Sequence, residues 1–493
     1  MRSYRAIGKN PSLIKCAIFA LALGFLATTA FAQSRQEKEL FAAGKRAFAD
    51  ELYAVAEGQF RELLQRFPES KLAGEAYLNL GQSLYYQERW ADAAIALDAG
   101  RRPADPKIAD SFLFWLGESY ARQNRLSDAL PLYRELAEKY PKSKYRSATQ
   151  FGIGDMLFRG AQFADARAAF VAALRDPPNA EFAAEVIIGL GKINLALNDP
   201  AAAEANFRDV ITNYSKTDAL WLARYWWAES RQRQNDPAGA LTELRAITDF
   251  KQKIRPRNLR AEASYAIGRI HLSRGEFNLA SEAFSRAKQE AKSSELQTAS
   301  LLQRAEALLR GGQPDSAIAE LRTTEPMTAP VAFRIAELLY GQKQFKNSLD
   351  AYRSVAANFS QSELVGAAHY GAGWSLVELG KPTEAVDEFT QAAQMGPSIE
   401  LKAQAQTKIG DIYLSLSQYP RAVESYQAVL EKFSPSSVSA RAQFQIGFTQ
   451  TEAGDFSAAA AAFETLVQKF AGSAYTEPRN SPITSQRAQA RKD

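Results

Sequence analysis

The chain has 493 residues, of which 46% are hydrophobic and 23% charged, with 60 basic and 55 acidic residues. Four basic and no acidic residues lie within residues 1–32, so the formal charge beyond this segment is about +1. Nucleic-acid binding needs a concentrated basic face, which so small an excess does not predict. The single cysteine, Cys16, lies in the same segment, so we expect no disulfide to stabilise the remaining chain.

The first 32 residues have the pattern of a secretory signal peptide. Four basic residues come first: Arg2, Arg5, Lys9 and Lys15. An apolar run from Cys16 to Ala27 follows them, and Ala30 and Ala32 supply the small side chains of a cleavage site. The alternative is a retained membrane anchor, but the run is shorter than the roughly 20 residues that a spanning helix needs. We therefore predict cleavage after Ala32 and a secreted mature chain without a membrane span.

From there on, a small residue returns about every 37 positions. The small residues are Gly44, Gly81, Gly117, Gly154, Gly191, Ala228, Gly268, Ala305, Ala336, Gly373, Gly410 and Gly447. Twelve positions after each one stands an alanine, or Ser348 in one unit. Sixteen positions after each one stands an aromatic residue or leucine: Phe60, Leu97, Tyr133, Phe170, Phe207, Leu244, Phe284, Leu321, Tyr352, Phe389, Tyr426 and Phe463. Such self-similarity indicates a stacked helical array.

The register predicts two helices in each unit. Glycine inside a helix costs about 1 kcal/mol relative to alanine, so a packing gain must offset it. We expect the missing side chain to let the alanine of the second helix approach, while the large residue fills the space beside them. Short breakers such as Asn198-Asp199-Pro200 and Gly380-Lys381-Pro382 separate the two helices. Proline there would begin the second helix, where its missing N–H is harmless.

These units resemble tetratricopeptide repeats. The resemblance is carried by units such as Tyr77-x-x-Leu80-Gly81-x-x-Leu84 followed by Trp90-x-x-Ala93, and Gly117-x-x-Tyr120 followed by Ala129-x-x-x-Tyr133 and Pro141. It extends from about Lys38 to Phe470 and comprises twelve units. The resemblance implies an all-α fold, a right-handed α-α superhelical solenoid of about twelve tetratricopeptide-like helix pairs.

Most units are longer than the usual repeat of the family, and several end in phrases such as Arg66-Phe67-Pro68-Glu69-Ser70. In this respect the chain is similar to periplasmic Tol-Pal-associated proteins and to the outer-membrane assembly lipoprotein BamD. It departs from BamD in one feature, because Lys15 precedes Cys16 and no lipoprotein motif is present. The similarity implies partners in the cell envelope.

Two irregular spacings bear on domain organisation. The step from Ala305 to Ala336 is short and contains Pro326 and Pro330, which predicts a bend between two continuous repeat arrays, 33–325 and 326–475. Residues 476–493 are polar and are predicted to be a disordered tail. Terminal units usually need a polar outer face, so either this tail or another chain covers the last one.

The second irregular spacing, from Ala228 to Gly268, is long and contains a basic loop. Its cations are Lys251, Lys253, Arg255, Arg257 and Arg260. They are candidate contacts for an anionic partner such as lipid or lipopolysaccharide headgroups, which would give a peripheral membrane contact. A charge run of this kind is also typical of a solvated surface.

The mature sequence contains no recognisable catalytic or cofactor motif. Its two histidines, His271 and His369, occupy positions where other units carry packing residues, so neither is expected to bind a metal. The G-x-G phrases at Gly152, Gly189 and Gly371 fall inside repeat helices and not after a strand. Soluble lytic transglycosylases also have a helical superhelix, but they carry a separate catalytic domain for which no room remains. We therefore predict a protein that is not an enzyme and needs no cofactor.

A surface is the candidate site. In the tetratricopeptide fold the first helices line the concave face, and the position three before the small residue points into that groove. The resulting candidates for partner binding are Phe114, Trp115, Phe151, Trp221, Tyr225, Trp226, Tyr265, Tyr370 and Trp374. The alternative is that each ring packs against a neighbouring helix. Arg224, Arg231 and Arg233 could pair with an acidic peptide or stack on rings.

These features predict a non-enzymatic periplasmic scaffold that binds envelope proteins through its concave groove. The alternative is an adaptor of exopolysaccharide synthesis or export whose rings stack on sugars. Charge reversal at the arginines would affect a protein ligand, whereas glycan binding would depend mainly on tryptophan and tyrosine.

Overall fold

The computed structural model describes residues 35–101 and 105–476. This part of the chain is all-helical, with 24 α-helices and no strand. The predicted signal peptide with Ala30 and Ala32, and residues 477–493 of the predicted tail, lie outside the described residues. None of the helices in the two described ranges has the length and apolar character that membrane crossing requires.

The first twelve helices are α1 (35–49), α2 (Tyr53–Arg66), α3 (Ala73–Tyr86), α4 (Trp90–Arg101), α5 (Ala109–Arg122), α6 (Leu126–Lys139), α7 (Arg146–Arg159), α8 (Phe163–Ala173), α9 (Ala180–Ala196), α10 (Pro200–Asn213), α11 (Ala219–Arg233) and α12 (Pro237–Thr248). A short 3-10 helix, Pro106–Ile108, precedes α5.

The remaining helices are α13 (Leu259–Ser273), α14 (Phe277–Glu290), α15 (Ser294–Arg310), α16 (Pro314–Arg322), α17 (Ala329–Gly341), α18 (Phe345–Asn358), α19 (Val365–Glu378), α20 (Pro382–Met395), α21 (Ile399–Ser415), α22 (Tyr419–Lys432), α23 (Ser439–Glu452) and α24 (Phe456–Lys469). Prolines begin α10, α12, α16 and α20, as the breakers predict.

The chain divides into two compact units near the basic loop. The first ends at Ile247 and also includes Gln252–Pro256, and the second includes Thr248–Lys251 and continues from Arg257. This division coincides with the long spacing between Ala228 and Gly268. The division into arrays 33–325 and 326–475 stays a prediction.

Within each unit, consecutive helices pack in pairs, and the odd-numbered helices also contact one another. Such contacts join α3 to α5, α7 to α9 and α9 to α11 in the first unit, and α13 to α15, α15 to α17, α17 to α19 and α21 to α23 in the second. The even-numbered helices of the described part make no comparable contacts with each other. The odd-numbered helices therefore line the inner side of each unit, and we call this side the first-helix face.

The recurring glycines lie directly against the large residues that follow them by sixteen positions. A Cβ added to Gly154 would lie 2.5 Å from Cδ1 of Phe170, and one added to Gly189 would lie 2.9 Å from Cε2 of the same ring. The sequence predicted an alanine at the closest approach, whereas the nearest atoms belong to the ring. Glycine is required here because the ring has helix backbone on both sides.

The turn inside each helix pair has a residue with positive φ seven positions after the recurring small residue. These residues are Glu51, Glu88, Asn124, Ala161, Asn198, Asn235, Gly275, Gly312, Lys343, Gly380, Ser417 and Gly454. Glycine and asparagine at most of them are the residue types that adopt this conformation most readily. This positive-φ turn is therefore a second feature that recurs in every unit. The Gly and Pro breakers in the sequence indicated it in only some of them.

We predict that Gly154→Ala lowers the free energy of unfolding by about 1 to 3 kcal/mol, because the new Cβ overlaps a ring that Gly189 prevents from moving away. Gly58 in α2 is the control, since a Cβ there would meet nothing within 4 Å. Gly58→Ala should stabilise the chain by about 0.5 to 1 kcal/mol through helix propensity. Urea denaturation measures both, and equal effects of the two changes would contradict the ring contact.

We also predict that Ala161→Gly stabilises the chain by about 1 kcal/mol, since Ala161 has φ of 56° and glycine removes that strain. The matched control is Ala168→Gly in the exposed middle of α8, which should destabilise it by about 1 kcal/mol. Thermal unfolding of both variants checks the opposite signs. A loss of stability at position 161 would show that the turn is not strained.

Candidate functional site

The rings three positions before the small residue pack against the large ring of the same unit. Phe151 lies 5.5 Å from Phe170 between ring centroids, and Tyr265 lies 5.4 Å from Phe284. Tyr370 is likewise 5.4 Å from Phe389. These three candidate residues remain partly exposed. Each one therefore contributes to packing inside its unit and presents its remaining surface on the first-helix face.

Phe114 and Trp115 belong to a larger aromatic cluster than the sequence predicted. Phe114 is buried and stacks on Tyr145 with ring centroids 4.4 Å apart. The Trp115 indole N–H donates to the Tyr145 hydroxyl over 3.3 Å, and its ring lies 5.2 Å from Tyr85 and 5.7 Å from Tyr86. The adjacent residues Tyr85 and Tyr86 were the sequence signal for this cluster. They follow Gly81 by four and five positions, about one helical turn, and so lie near the same face of α3.

The tyrosines of this cluster are held by a carboxylate. The Tyr85 and Tyr133 hydroxyls both donate to Glu118, and Arg122 donates to the Tyr85 oxygen over 3.0 Å. Burial and the Glu118 charge raise the pKa of Tyr85 to about 12, against the opposing effect of Arg122. Tyr86 stays 46% exposed and stacks on Tyr53, so it is the open edge of the cluster.

The four aromatic residues of α11 are all partly buried. Trp221, Tyr225 and Trp226 lie on this helix, and the rings of Tyr225 and Trp226 meet edge to face at 5.7 Å. Trp227, the fourth, packs against the same core cluster as Trp226. The guanidinium of Arg231 lies 4.6 Å from the Trp227 ring centroid, and that of Arg208 lies 5.5 Å from it.

The three arginines near α11 already have partners inside the chain. Arg224 pairs with Glu243 at 2.5 Å, and Arg231 pairs with Asp236 at 2.7 Å. Arg233 pairs with Glu229 and also donates to the Leu195 carbonyl. An acidic partner would have to compete with these internal contacts. Arg231 does stack on a ring, that of Trp227, and pairing of the three arginines with an acidic peptide stays a prediction.

Beside these residues lies a cavity of about 160 Å³ on the first-helix face of the first unit. Its lining consists of Phe151, Asp155, Phe158, Phe170, Glu185, Ile188, Gly189, Lys192 and Leu222. Lys192 is half-buried, with its Nζ 5.3 Å from the Phe158 ring centroid and 5.2 Å from that of Trp226. Only Phe151 of this lining was among the predicted site residues.

The repeat pattern does contain a signal for charged lining residues that were missed, such as Asp155 and Lys192. The position directly after the small residue is charged in most units: Lys45, Glu118, Asp155, Lys192, Glu229, Arg269, Glu306, Glu337 and Asp411. This position lies four residues after the rings that precede the small residue, so it falls on the same helix face. A row of charges therefore accompanies the aromatic residues from which the site was predicted.

The second unit has a larger cavity of about 460 Å³ between α13, α15, α17 and Leu364, the residue before α19. Its charged side chains form one chain of ion pairs from Arg310 through Glu306 and Arg334 to Glu337. Further along, Trp374 lies 6.1 Å from Phe389, and the Lys408 ammonium lies 4.8 Å from the Trp374 ring centroid. Lys408 also pairs with Asp411 at 3.0 Å. These charges neutralise one another.

The basic loop is exposed at four of its five cations. Lys251, Lys253, Arg255 and Arg257 are exposed, and the Arg255 guanidinium lies 3.9 Å from Asp218. Arg260 differs, because it is half-buried at the start of α13 and donates to the Phe250 carbonyl over 2.5 Å. Arg260 therefore helps to hold the loop, and contact of these cations with an anionic partner stays a prediction.

Each histidine pairs with one carboxylate. His271 Nδ1 lies 2.5 Å from Glu276, and His369 Nδ1 lies 2.7 Å from Glu388. Glu388 is only 8% exposed and also accepts from Arg353 over 2.7 Å. Burial alone would raise the pKa of Glu388, but the bonds from His369 and Arg353 lower it below its ordinary value.

Glu388 should therefore contribute stability at neutral pH that is lost in acid. Its pKa is lower in the folded state, so the contribution is present above the ordinary value of 4.5 and disappears as the pH falls through the folded pKa. We predict that Glu388→Gln destabilises the chain at pH 7 and reduces the further loss of stability on acidification. Urea denaturation at neutral and acid pH measures this. The control is Glu384→Gln, which removes an exposed pair with Lys381. An unchanged acid dependence in Glu388→Gln would contradict the assignment.

Solved structures that are similar to this chain include two of low identity. A crystal structure of a tetratricopeptide repeat protein from Parabacteroides merdae is 15% identical, covers 55% of this chain and 99% of its own, and has a TM-score of 0.45. A crystal structure of the APC/C hetero-tetramer Cut9-Hcn1 is 14% identical, covers 93% of this chain and 96% of its own, and has a TM-score of 0.31. No curated protein matched the sequence.

Two protein families match the sequence. One tetratricopeptide repeat family matches residues 41–107, 151–217, 225–295, 333–398 and 407–474. A second tetratricopeptide repeat family matches residues 112–143. The first set of matches alone covers more than half of the sequence, and it follows the helix pairs described above. The chain belongs to the tetratricopeptide repeat family.

Proposed function

We propose that this chain is a non-enzymatic scaffold of the bacterial cell envelope, exported to the periplasm, that binds segments of partner proteins on its first-helix face. Tetratricopeptide repeats generally mediate protein–protein interactions, and membership of this family supports the scaffold role. The signal-peptide pattern before Gln33 supports export. The similarity in unit length to Tol-Pal-associated and BamD-like proteins supports a role in envelope biogenesis or assembly.

The observation that carries the proposal is the surface around Lys192. Here a half-buried ammonium, several partly exposed rings and a cavity occur together on the inner side of the first unit. Aromatic anchors next to a pocket are typical of the residues that dominate binding energy in protein interfaces. A surface of this kind fits an extended or helical segment of another protein.

The alternative of a polysaccharide adaptor receives less support from the rings. Sugar stacking requires an open ring face, whereas cations lie over the rings of two site tryptophans: Lys192 over Trp226, and Lys408 over Trp374. In the first unit, Phe114 stacks on Tyr145 and Tyr86 stacks on Tyr53. Each of these contacts covers one ring face and leaves less aromatic surface for a sugar plane.

Photo-crosslinking from position 225 tests the proposal. With a photoreactive residue in place of Tyr225, in intact cells of the source organism, we expect a discrete adduct with an envelope protein. The adduct should be recovered from the periplasmic fraction, with Gln33 as the first residue of this chain. The matched control is position 95 in the even-numbered helix α4, where Ile95 is 70% exposed.

The control separates specific binding from contact by proximity. Equal adducts from positions 225 and 95 would contradict binding on the first-helix face. A glycan adduct from position 225 would favour the polysaccharide adaptor. Retention of residues 1–32 in a cytoplasmic protein would contradict the envelope role.

A further inference from the structure

The Lys192 ammonium has an incomplete environment. Two rings flank it, those of Phe158 and Trp226, and within the described residues no carboxylate or hydrogen-bond acceptor contacts its Nζ. Cation–π contacts attract an ammonium to the ring faces but leave its N–H donors without acceptors. Burial lowers the pKa of Lys192, and the nearby Asp155 only partly opposes this effect. An added anion would complete this environment.

The carboxylates beside the cavity do not supply that anion. Asp155 pairs with Arg159 at 2.8 Å, so its charge is already balanced. Glu185 is exposed at the rim and makes no ion pair or hydrogen bond within the described residues. The rim therefore carries an ammonium on one side and a carboxylate on another. A ligand with many acidic groups would be repelled by Glu185, whereas one acidic group near Lys192 would not.

The cavity itself is apolar and of side-chain size. Phe151, Phe158, Phe170, Ile188 and Leu222 line its interior. Its volume of about 160 Å³ is close to the roughly 150 Å³ of an apolar cavity that holds a benzene-sized molecule. One bulky apolar side chain, such as leucine, methionine or phenylalanine, would fill it and would remove these side chains from water.

We propose that this cavity binds one bulky apolar side chain of a partner protein, and that Lys192 pairs with a single acidic side chain within two residues of it. The inference rests on the proposed scaffold function and names the chemistry of the segment that the first unit recognises. Burial of the apolar side chain contributes to affinity. The ion pair with Lys192 distinguishes apolar segments that carry an acid from those that do not.

Selection from a library of short random linear peptides on the purified full chain provides the probe. We expect enriched peptides to carry one aspartate or glutamate beside a bulky apolar residue. Calorimetry with a synthetic enriched peptide then measures affinity. Lys192→Met keeps an apolar stem between Phe158 and Trp226, and it should weaken binding about tenfold. Replacing the acid of the peptide by its amide should weaken binding equally, with little further loss in Lys192→Met.

Two further variants locate the binding. Leu222→Trp fills the cavity and should abolish the preference for the bulky apolar residue. Lys142→Met, at an exposed turn after α6, is the matched control and should leave the affinity unchanged. Thermal unfolding of each variant verifies that the repeats remain folded.

The outcomes separate this inference from the proposed function. Enriched peptides whose acid shows no coupling to Lys192, or whose binding Leu222→Trp leaves unchanged, overturn the inference and leave the scaffold function standing. Failure to enrich any peptide also overturns the inference, whereas the scaffold function is overturned only by the crosslinking outcomes at positions 225 and 95. Equal losses in Lys192→Met and Lys142→Met would show a general charge effect and would also overturn the inference.

Discussion

The contact between an aromatic ring and bare helix backbone holds the repeats together. Phe170 lies between Gly154 of its own unit and Gly189 of the next, and Tyr133 lies in the same way between Gly117 and Gly152. One ring of a second helix thus joins the first helices of two successive units. Because each ring spans only neighbours, the core is a series of local contacts, as expected for a solenoid.

The same register determines which residues are left for binding. The rings three positions before the small residue bury much of their surface inside their own unit, as Phe151 does against Phe170. The position after the small residue carries a charge in most units, and its side chain lies beside these rings. Most such charges pair internally, as Glu306 does with Arg334. Lys192 has rings around it in place of an acid, and this makes the first unit the better candidate for recognition.

The histidine and tyrosine networks show how buried polar groups are accommodated on this scaffold. Glu388 accepts from His369 and Arg353, and Glu118 accepts from two tyrosines. Each carboxylate accepts hydrogen bonds from side chains on two other helices. It therefore stabilises the packing of these helices instead of presenting a reactive group. The charged row on the first-helix face therefore includes residues that hold helices together, such as Glu118, and the residue that we propose for binding, Lys192.

The sequence by itself determined the all-helical class, the helix pairs and the positions of the small residues, because these depend on a local pattern that recurs in every unit. It also indicated the first-helix face through residues such as Phe151 and Trp226. It did not reveal that Arg224 pairs with Glu243, that Tyr145 covers Phe114, or that the compact units divide near Ile247. Only the tertiary structure decided these points, since a side chain selects its partner by distance across helices, and no periodicity encodes that distance.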